Sequence, residues 1–263
     1  MATEVTAGFF SFTGVADGCH REYGTWALRE HLPELRSLEG VPFAQLWVST
    51  PDLVERRLYA QGGLAASRYL SLSLLDAPLE ASLDELQSSH RRLEAEGRSF
   101  DGEGTYLRGP LELVKTYAPV GMSGDADEAP YRANKGVFVT AQDHAPDATR
   151  AALDEALTWY DEVHIPDLLA VRGVVGCWWF EATGREPGPA ANPRGRTIRV
   201  YWLDEDPLTF HEDLAARTTG MEMIDLRAAY RTLIVGSYRA IPWPLPSQWI
   251  DGSTVGAHKR TPS

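Results

Sequence analysis

Cysteine, excess positive charge and long apolar runs are all scarce in this sequence. Only Cys19 and Cys177 are cysteines among its 263 residues, and their spacing suggests neither a disulfide framework nor a zinc site. The formal net charge of -12 argues against nucleic acid, whose phosphates need a basic stripe, and against an anionic membrane surface as a partner. No apolar run is long enough to cross a bilayer, and Met1–Ala7 lacks the features of a secretory signal. We therefore expect a cytoplasmic protein.

Familiar catalytic motifs are missing as well. The chain has no GxSxG, P-loop or GxGxxG motif, so serine hydrolase, nucleotidase and Rossmann interpretations lack support. None of its histidines shows HExxH or another standard metal-ligand spacing, and no metal site is expected. The glycine-rich segment 184–195 has no Lys-Ser/Thr ending and is interpreted as a flexible surface loop or lid.

The chain does contain an internal repeat. The pattern Trp-x4-His-x-Pro-x-Leu-x4-Gly-Val begins at Trp26 and again at Trp159, and all six positions share one offset of 133 residues. Six matches at a fixed offset, including a rare Trp and a Gly-Val pair, indicate a tandem duplication.

Each copy of the repeat lies within the same predicted order of strands and helices, β-α-β-β-α-β. The predicted strands are 8–15, 41–48, 69–75 and 111–117 in the first copy and 136–142, 174–180, 197–203 and 231–238 in the second. This order is that of a ferredoxin-like domain. The sequence therefore predicts an α+β fold with halves at 8–118 and 136–242, an acidic linker at 121–134 and a flexible tail at 252–263.

The repeated motif, which bridges the first helix and the second strand, resembles that of EthD-like members of the dimeric α+β barrel superfamily. The resemblance implies that two ferredoxin-like halves pack their sheets together around a pocket, within one chain, as smaller relatives do as dimers. It implies chemistry less specifically. The superfamily includes cofactor-free cyclases, isomerases, dehydratases and monooxygenases acting on aromatic or polyketide-like compounds, haem proteins, and members without known activity.

The repeated histidines, His31 and His164, are candidate catalytic residues. Each precedes a proline at a predicted helix end, where histidine could shuttle protons at a pocket mouth or bond free backbone carbonyls. Retention in both copies favours the second interpretation, and both stay open. Trp26 and Trp159 lie five residues earlier, about 140° around an α-helix, so we expect them to point elsewhere and to be core residues.

Differences between the copies give further candidates. Arg199 and Tyr201 stand where the first copy has Ser71 and Ser73, and period-2 alternation places both on one face of their strand. A buried guanidinium should meet a carboxylate such as Glu112 or a bound anion. The alternative is that both side chains face solvent.

Aromatic residues and one lysine on nearby strands complete the candidate site. Trp178 and Phe180 would add an aromatic wall beside the strand that carries Arg199. Lys115, Tyr117 and Tyr238 lie on the two fourth strands and are the remaining candidate substrate-binding residues. We expect the working pocket to belong mainly to the second half.

These features favour a cofactor-independent lyase, isomerase or cyclase acting on a hydrophobic, aromatic or polyketide-like small molecule. His164 would be the acid–base, with His31 its repeat counterpart, while Tyr201 would polarise a carbonyl or phenol oxygen and Arg199 hold a carboxylate or enolate. A haem-binding barrel and a non-catalytic ligand-binding or assembly module are the alternatives. Neither nucleic acid nor a membrane is expected as a partner, and homo-oligomerisation is left open.

Overall fold

The computed structural model describes residues 4–101, 103–122, 125–184, 192–218 and 224–242. The strands are β1 (Val5–Val15), β2 (Phe43–Val48), β3 (Tyr59–Ala60), β4 (Tyr69–Asp76), β5 (Glu103–Tyr117), β6 (Gly136–His144), β7 (Val174–Glu181), β8 (Arg196–Leu203) and β9 (Tyr230–Ala240). The α-helices are α1 (His20–Trp26), α2 (Leu32–Arg36), α3 (Pro51–Glu55), α4 (Leu79–Ala95), α5 (Arg150–Trp159), α6 (Ile165–Leu169) and α7 (Pro207–Thr218). The predicted tail at 252–263 and most of the predicted loop at 184–195 lie outside the described residues.

Eight of the strands close into one antiparallel barrel built from two ferredoxin-like halves. The first half has the order β2-β4-β1-β5 and the second the order β7-β8-β6-β9, so both halves place their second, third, first and fourth strands in the same sequence. The halves join where β5 pairs with β7 and where β9 pairs with β2, so each fourth strand meets the second strand of the other half. The predicted α+β class and intrachain dimeric barrel are confirmed.

The barrel interior is filled by side chains from both halves. Its centre holds three buried tryptophans, Trp47, Trp178 and Trp202. The ring centroid of Trp202 lies 5.8 Å from that of Trp47 and 6.2 Å from that of Trp178. An eight-stranded barrel is just wide enough for side chains to fill it. The pocket that the family resemblance implied between the sheets is therefore occupied by hydrophobic core.

Two further hydrophobic clusters lie outside the barrel, between each half's sheet and its own helices. In the first half the cluster packs α1, α2 and α4 against the outer faces of β1, β2 and β4. In the second half it packs α5, α6 and α7 against β6, β7 and β8. Strands β6, β7 and β8 therefore bury both faces, one towards the barrel interior and one towards helices, which explains runs such as Val174–Phe180 with almost no polar residue.

The predicted linker takes part in packing. Residues Ala126–Tyr131 form a 3₁₀ helix with Ala129 and Pro130 buried, and Ala126 O accepts a 2.9 Å hydrogen bond from Trp178 Nε1. At the other junction, Arg239 donates to Asp206 in its own half and, over 3.2 Å, to Thr50 Oγ1 of the first half. The first contact ties the linker to the second half, and the Arg239–Thr50 contact ties the two halves together.

The glycine of the repeated motif is needed for different reasons in the two copies. Gly173 adopts a φ of +86°, a conformation that residues with a Cβ rarely adopt. Gly40 has no such conformation, but a Cβ there would collide with Ser82 of α4. The shared Gly-Val signature thus reflects a tight turn in one half and close helix packing in the other.

Candidate functional site

The repeated Trp-x4-His motif forms the same unusual structure in both halves. Five residues of π-helix, Ala27–His31 and Tyr160–His164, interrupt the α-helix just after the tryptophan. The rings then stack: Trp26 on His31 with centroids 4.8 Å apart and planes at 16°, and Trp159 on His164 at 4.5 Å and 20°. The expectation that these rings point apart was wrong because it assumed α-helical spacing, whereas a π-helix brings residues five apart onto one side.

A cavity of about 290 Å³ opens in the first half, between the outer face of the sheet and the helices. Its floor consists of small hydroxyl side chains on neighbouring strands, Ser11, Thr13, Ser71 and Ser73. Its walls are aromatic, supplied by Phe9, Tyr23, Trp26 and Phe100. His31, His90 and Arg108 line the same space, with Glu94 and Asp101. The cavity exists because short side chains stand where the second half carries long ones.

Two histidines and one arginine converge in this cavity. The rings of His31 and His90 stack with centroids 5.5 Å apart and planes at 18°. Arg108, an exposed residue on β5, donates from Nη2 to His90 Nδ1 over 3.1 Å and lies over the Phe9 ring at 5.5 Å. His31 Nδ1 is buried and has no hydrogen-bond partner. The cluster therefore offers one cation and an unused imidazole nitrogen.

Both histidines are neutral at physiological pH. Burial, followed by the positive charge of Arg108, lowers the pKa of His31 to about 4. The same two causes, with a contribution from His31, lower the pKa of His90 to about 3. Because an arginine can only donate, His90 Nδ1 must accept, and the proton of the neutral ring is then on Nε2.

The second half carries an arginine at a different position of the same surface. Register places Thr140, Arg199 and Trp179 in one row across β6, β8 and β7, where the first half has Ser11, Ser71 and Leu46. The first half's arginine, Arg108, lies on β5, the strand on the other side of β1, and is the cross-strand neighbour of Ser11. Each half thus places one guanidinium near its motif histidine. In the first half it is Arg108 on the fourth strand, and in the second half it is Arg199 on the third strand.

Arg199 and Tyr201 are fully buried, which excludes the solvent-facing alternative. They share the helix-facing side of β8, while Ile198, Val200 and Trp202 face the barrel interior, as alternation predicted. Arg199 donates from Nη1 to Gln142 Oε1 over 3.0 Å, and its guanidinium lies 3.6 Å from the ring centroid of Tyr160 and 4.4 Å from that of Trp179. Burial and then Arg199 lower the pKa of His164 to about 4. These side chains fill the volume that is open in the first half.

The other predicted substrate-binding residues lie apart from this cluster. Trp178, Phe180 and Tyr238 belong to the barrel core, on the opposite face of the sheet from Arg199. Lys115 and Tyr117 both contact Asp161, at 3.0 Å and 2.5 Å, near the junction of β5 with β7. Glu112, offered as a partner for Arg199, instead accepts a 2.6 Å hydrogen bond from Thr183. The structure does not bring these residues together around a common cavity with His164.

Sequence reasoning missed His90, Arg108 and the hydroxyl floor. His90 and Arg108 have no counterpart in the repeated motif, because they belong to α4 and β5, where the two copies diverge in length. A signal was present in the serines themselves. Small polar residues at alternate positions of two neighbouring strands, Ser11 with Ser71 and Ser73, leave space on a face that must otherwise be filled.

The residues that the structure describes contain neither a metal-binding cluster nor a membrane-spanning helix. No group of three or more histidine, cysteine, aspartate or glutamate side chains in that part of the chain could hold a metal ion. None of the described helices is long and apolar enough to cross a membrane. Cys19 and Cys177 are both free thiols.

Comparison with solved structures agrees with this architecture. The chain is similar to an anthrone oxidase-like protein, with a TM-score of 0.54 and 12% identity over 91% of this chain and 92% of that one. It is also similar to the encapsulated DyP-type peroxidase from Mycobacterium smegmatis, with a TM-score of 0.50 and 10% identity over 95% and 96% of the two chains. A chlorite dismutase variant from Candidatus Nitrospira defluvii gives a TM-score of 0.50 and 13% identity over 95% of each chain. At such identities the likeness concerns the fold.

No protein-family model and no curated protein matches the sequence.

Proposed function

We propose that this protein is a small-molecule enzyme whose site is the first-half cavity, with His31 as the proton-transfer group, His90 as a hydrogen-bond donor and Arg108 as the anion-binding group. The observation that carries the proposal is the convergence of two neutral imidazoles and one accessible guanidinium on a single cavity with an aromatic wall. These are the groups that proton transfer next to a developing negative charge requires. The roles first assigned to His164 and Arg199 are thereby proposed for His31 and Arg108.

The hydrogen bond from Arg108 divides the two histidines between donor and acceptor roles. His90 carries its proton on Nε2 and can donate a hydrogen bond to a substrate oxygen, while the unpartnered Nδ1 of His31 offers a lone pair that can accept a proton. A base with a pKa of about 4 is weak at neutral pH. An anionic substrate on Arg108 offsets one cause of that low pKa, so binding makes His31 more basic.

The cavity also limits the substrate. Its volume of about 290 Å³ lies near the lower end of the usual range for small-molecule pockets, ~300–1,000 Å³. Trp26 and Phe100 favour a planar aromatic body, Arg108 favours a carboxylate, phenolate or enolate, and the serine floor can hydrogen-bond substrate oxygens. We propose a one- or two-ring aromatic or polyketide-like acid or phenol.

The reaction class proposed is a lyase, isomerase or cyclase step that needs proton transfer without a bound cofactor. The Trp-x4-His-x-Pro motif supports a place among the EthD-like barrels, whose chemistry this site could serve. The fold likeness to an anthrone oxidase-like protein is in keeping with an aromatic substrate. A cytoplasmic location belongs to the same proposal.

Calorimetric binding of hydroxylated benzoic and naphthoic acids tests it. The wild-type protein should bind at least one member of the panel, and Arg108→Met should weaken that binding ~10–150-fold, because a charge-assisted hydrogen bond contributes about 1.5–3 kcal/mol. Arg227→Met is the matched control, since Arg227 is exposed and pairs with Asp225 at 2.7 Å. Equal binding by Arg108→Met and Arg227→Met would remove the anion-binding role.

Haem binding is the second candidate, favoured by the neutral, unpartnered Nδ1 of His31. A haem would supply redox chemistry at its iron, and His31 is the residue that could hold it. The cavity does not fit the group, however, because about 290 Å³ is less than a drug-sized ligand commonly occupies and a tetrapyrrole is larger. A Soret band in the purified protein, lost in His31→Ala, would support haem over the cofactor-independent function.

A further inference from the structure

Arg199 presents an unbalanced charge inside the second half. Its side chain is fully buried, yet among the described residues no carboxylate forms an ion pair with it. Its Nη1 donates to the amide oxygen of Gln142, and the Tyr230 side chain also interacts with the guanidinium. The guanidinium atoms Nε and Nη2 are buried without any hydrogen-bond partner.

A second orphaned polar atom lies on the neighbouring strand, directly across from Arg199. Thr140 is the direct cross-strand neighbour of Arg199 and faces the same side of the sheet, since Val139 and Ala141 face the barrel interior. Its Oγ1 is buried and also lacks a partner. Buried polar groups in native proteins are nearly always hydrogen-bonded, so adjacent donors without acceptors indicate a missing acceptor.

The aromatic neighbours offset only part of the cost of burying this charge. Tyr160, Trp179 and Tyr230 place ring centroids 3.6, 4.4 and 5.8 Å from the guanidinium carbon. Cation–π contacts offset some of the cost of burying the ion, but they do not satisfy its hydrogen-bond donors. The phenol oxygens of Tyr160 and Tyr230 leave Nε and Nη2 without a hydrogen-bond partner. His164, next to Arg199, is neutral and does not balance the charge.

We propose that a small monovalent anion of halide size binds at Arg199 Nε and Nη2 and the Thr140 hydroxyl, between the sheet and the helices of the second half. One uncompensated cation calls for one negative charge. Arg199 and Tyr201 are both fully buried, and such an enclosed position favours a small ion over an organic acid. The site is distinct from the first-half cavity, so it can exist whether or not the proposed enzymatic function is correct.

Thermal unfolding in chloride tests the site. Sodium gluconate is replaced stepwise by sodium chloride at constant ionic strength, so that general screening stays fixed while chloride rises. An anion that binds only the folded protein raises Tm in a saturable way. We expect that rise for the wild type and for the control Arg227→Met, and its loss in Arg199→Met.

Two further measurements do not depend on whether Arg199→Met folds. Thr140→Val removes the orphaned hydroxyl without changing charge or shape, and should shift the chloride midpoint upward about fivefold, the effect of one neutral hydrogen bond. Wild-type crystals soaked in bromide should show an anomalous peak within hydrogen-bond distance of Arg199. Identical Tm values in chloride and gluconate, or bromide peaks confined to the surface, would overturn the proposal.

Discussion

Among single residues, Arg108 has the largest influence on the first-half cavity. It lowers the pKa of both histidines and, by donating to His90 Nδ1, fixes which nitrogen of that ring carries the proton. Its own side chain is exposed, so an incoming anion can reach it without displacing core residues. One surface cation thereby adds to the effect of burial, which is the larger cause, in keeping both histidines neutral.

The first prediction concerns proton uptake. After burial, the positive charge of Arg108 is the second cause of the low pKa of His31, about 4. An aromatic acid bound to Arg108 neutralises that charge, so the pKa of His31 rises. Binding at pH 5 should therefore take up protons from solution, measurable by calorimetry in buffers of different ionisation enthalpy. His31→Gln should reduce the uptake. A binding enthalpy independent of the buffer would contradict the proposed proximity of ligand and His31.

Among the elements, the π-helical segment is the feature that both halves share and use differently. In the first half its Trp–His stack lines an open cavity, and Trp26 is only half-buried, with Nε1 donating to Arg98 O at 2.6 Å. In the second half Trp159 is 6% exposed and belongs to the hydrophobic cluster under α5 and α6. The duplicated motif is a scaffold in one copy and part of a cavity wall in the other.

Alanine substitutions should separate these two roles. Trp159→Ala should lower the free energy of unfolding by ~3–5 kcal/mol, as large-to-small aromatic changes in a core do. Trp26→Ala should cost clearly less, because part of its ring already faces open space, and should weaken binding of aromatic acids. Urea denaturation measures both costs. A larger loss from Trp26→Ala than from Trp159→Ala would contradict this assignment.

The strands could be predicted well from the sequence because period-2 patterns and the repeat reinforced each other. Alternation correctly placed Arg199 and Tyr201 on one face of β8, and the fixed offset identified two matching halves. The π-helical segment could not be predicted, since hydrophobic periodicity assumes 3.6 residues per turn. That error separated each histidine from the tryptophan on which it stacks.

The position of the cavity was missed for a different physical reason. Sequence comparison between the copies drew attention to the longer side chains, Arg199 and Tyr201, whereas an open volume is produced by short ones. Ser71 and Ser73 at the equivalent positions leave the space. Whether Trp178 and Phe180 lie on the same face of the sheet as Arg199 depends on how β7 pairs with β8. Local sequence does not determine that register.

Across the whole molecule, buried neutral histidines link folding to pH. His31 and His164 have pKa values of about 4 in the folded state, well below the usual ~6.5 of an unfolded chain. The unfolded state therefore binds more protons between these values. Their contribution to stability is complete above pH 6.5 and is lost as pH falls towards 4.

Urea unfolding at a series of pH values should show this loss. We expect the free energy of unfolding to fall by on the order of 3 kcal/mol for each of His31 and His164 between pH 6.5 and 4. His164→Phe should flatten the dependence, because the substituted ring has no proton to gain. A free energy of unfolding that stays constant down to pH 4.5 would show that these rings are not buried in the neutral form.

The asymmetry between the halves can be tested by making them alike. Ser71→Arg combined with Ser73→Tyr gives the first half the side chains that fill the second, so the double variant should fold but lose binding of aromatic acids. Arg199→Ser with Tyr201→Ser is the reciprocal change and should leave first-half binding intact. Retained binding in the Ser71/Ser73 variant would mean that ligand occupies another place.

A crystal structure of the wild-type protein soaked with an aromatic carboxylic acid is the most direct test of a first-half site. The carboxylate should lie within hydrogen-bond distance of Arg108, with the ring against Trp26 and an edge near His31. Ordered ligand in the barrel interior beside Trp178, or against Arg199 in the second half with the first-half cavity empty, would contradict the account.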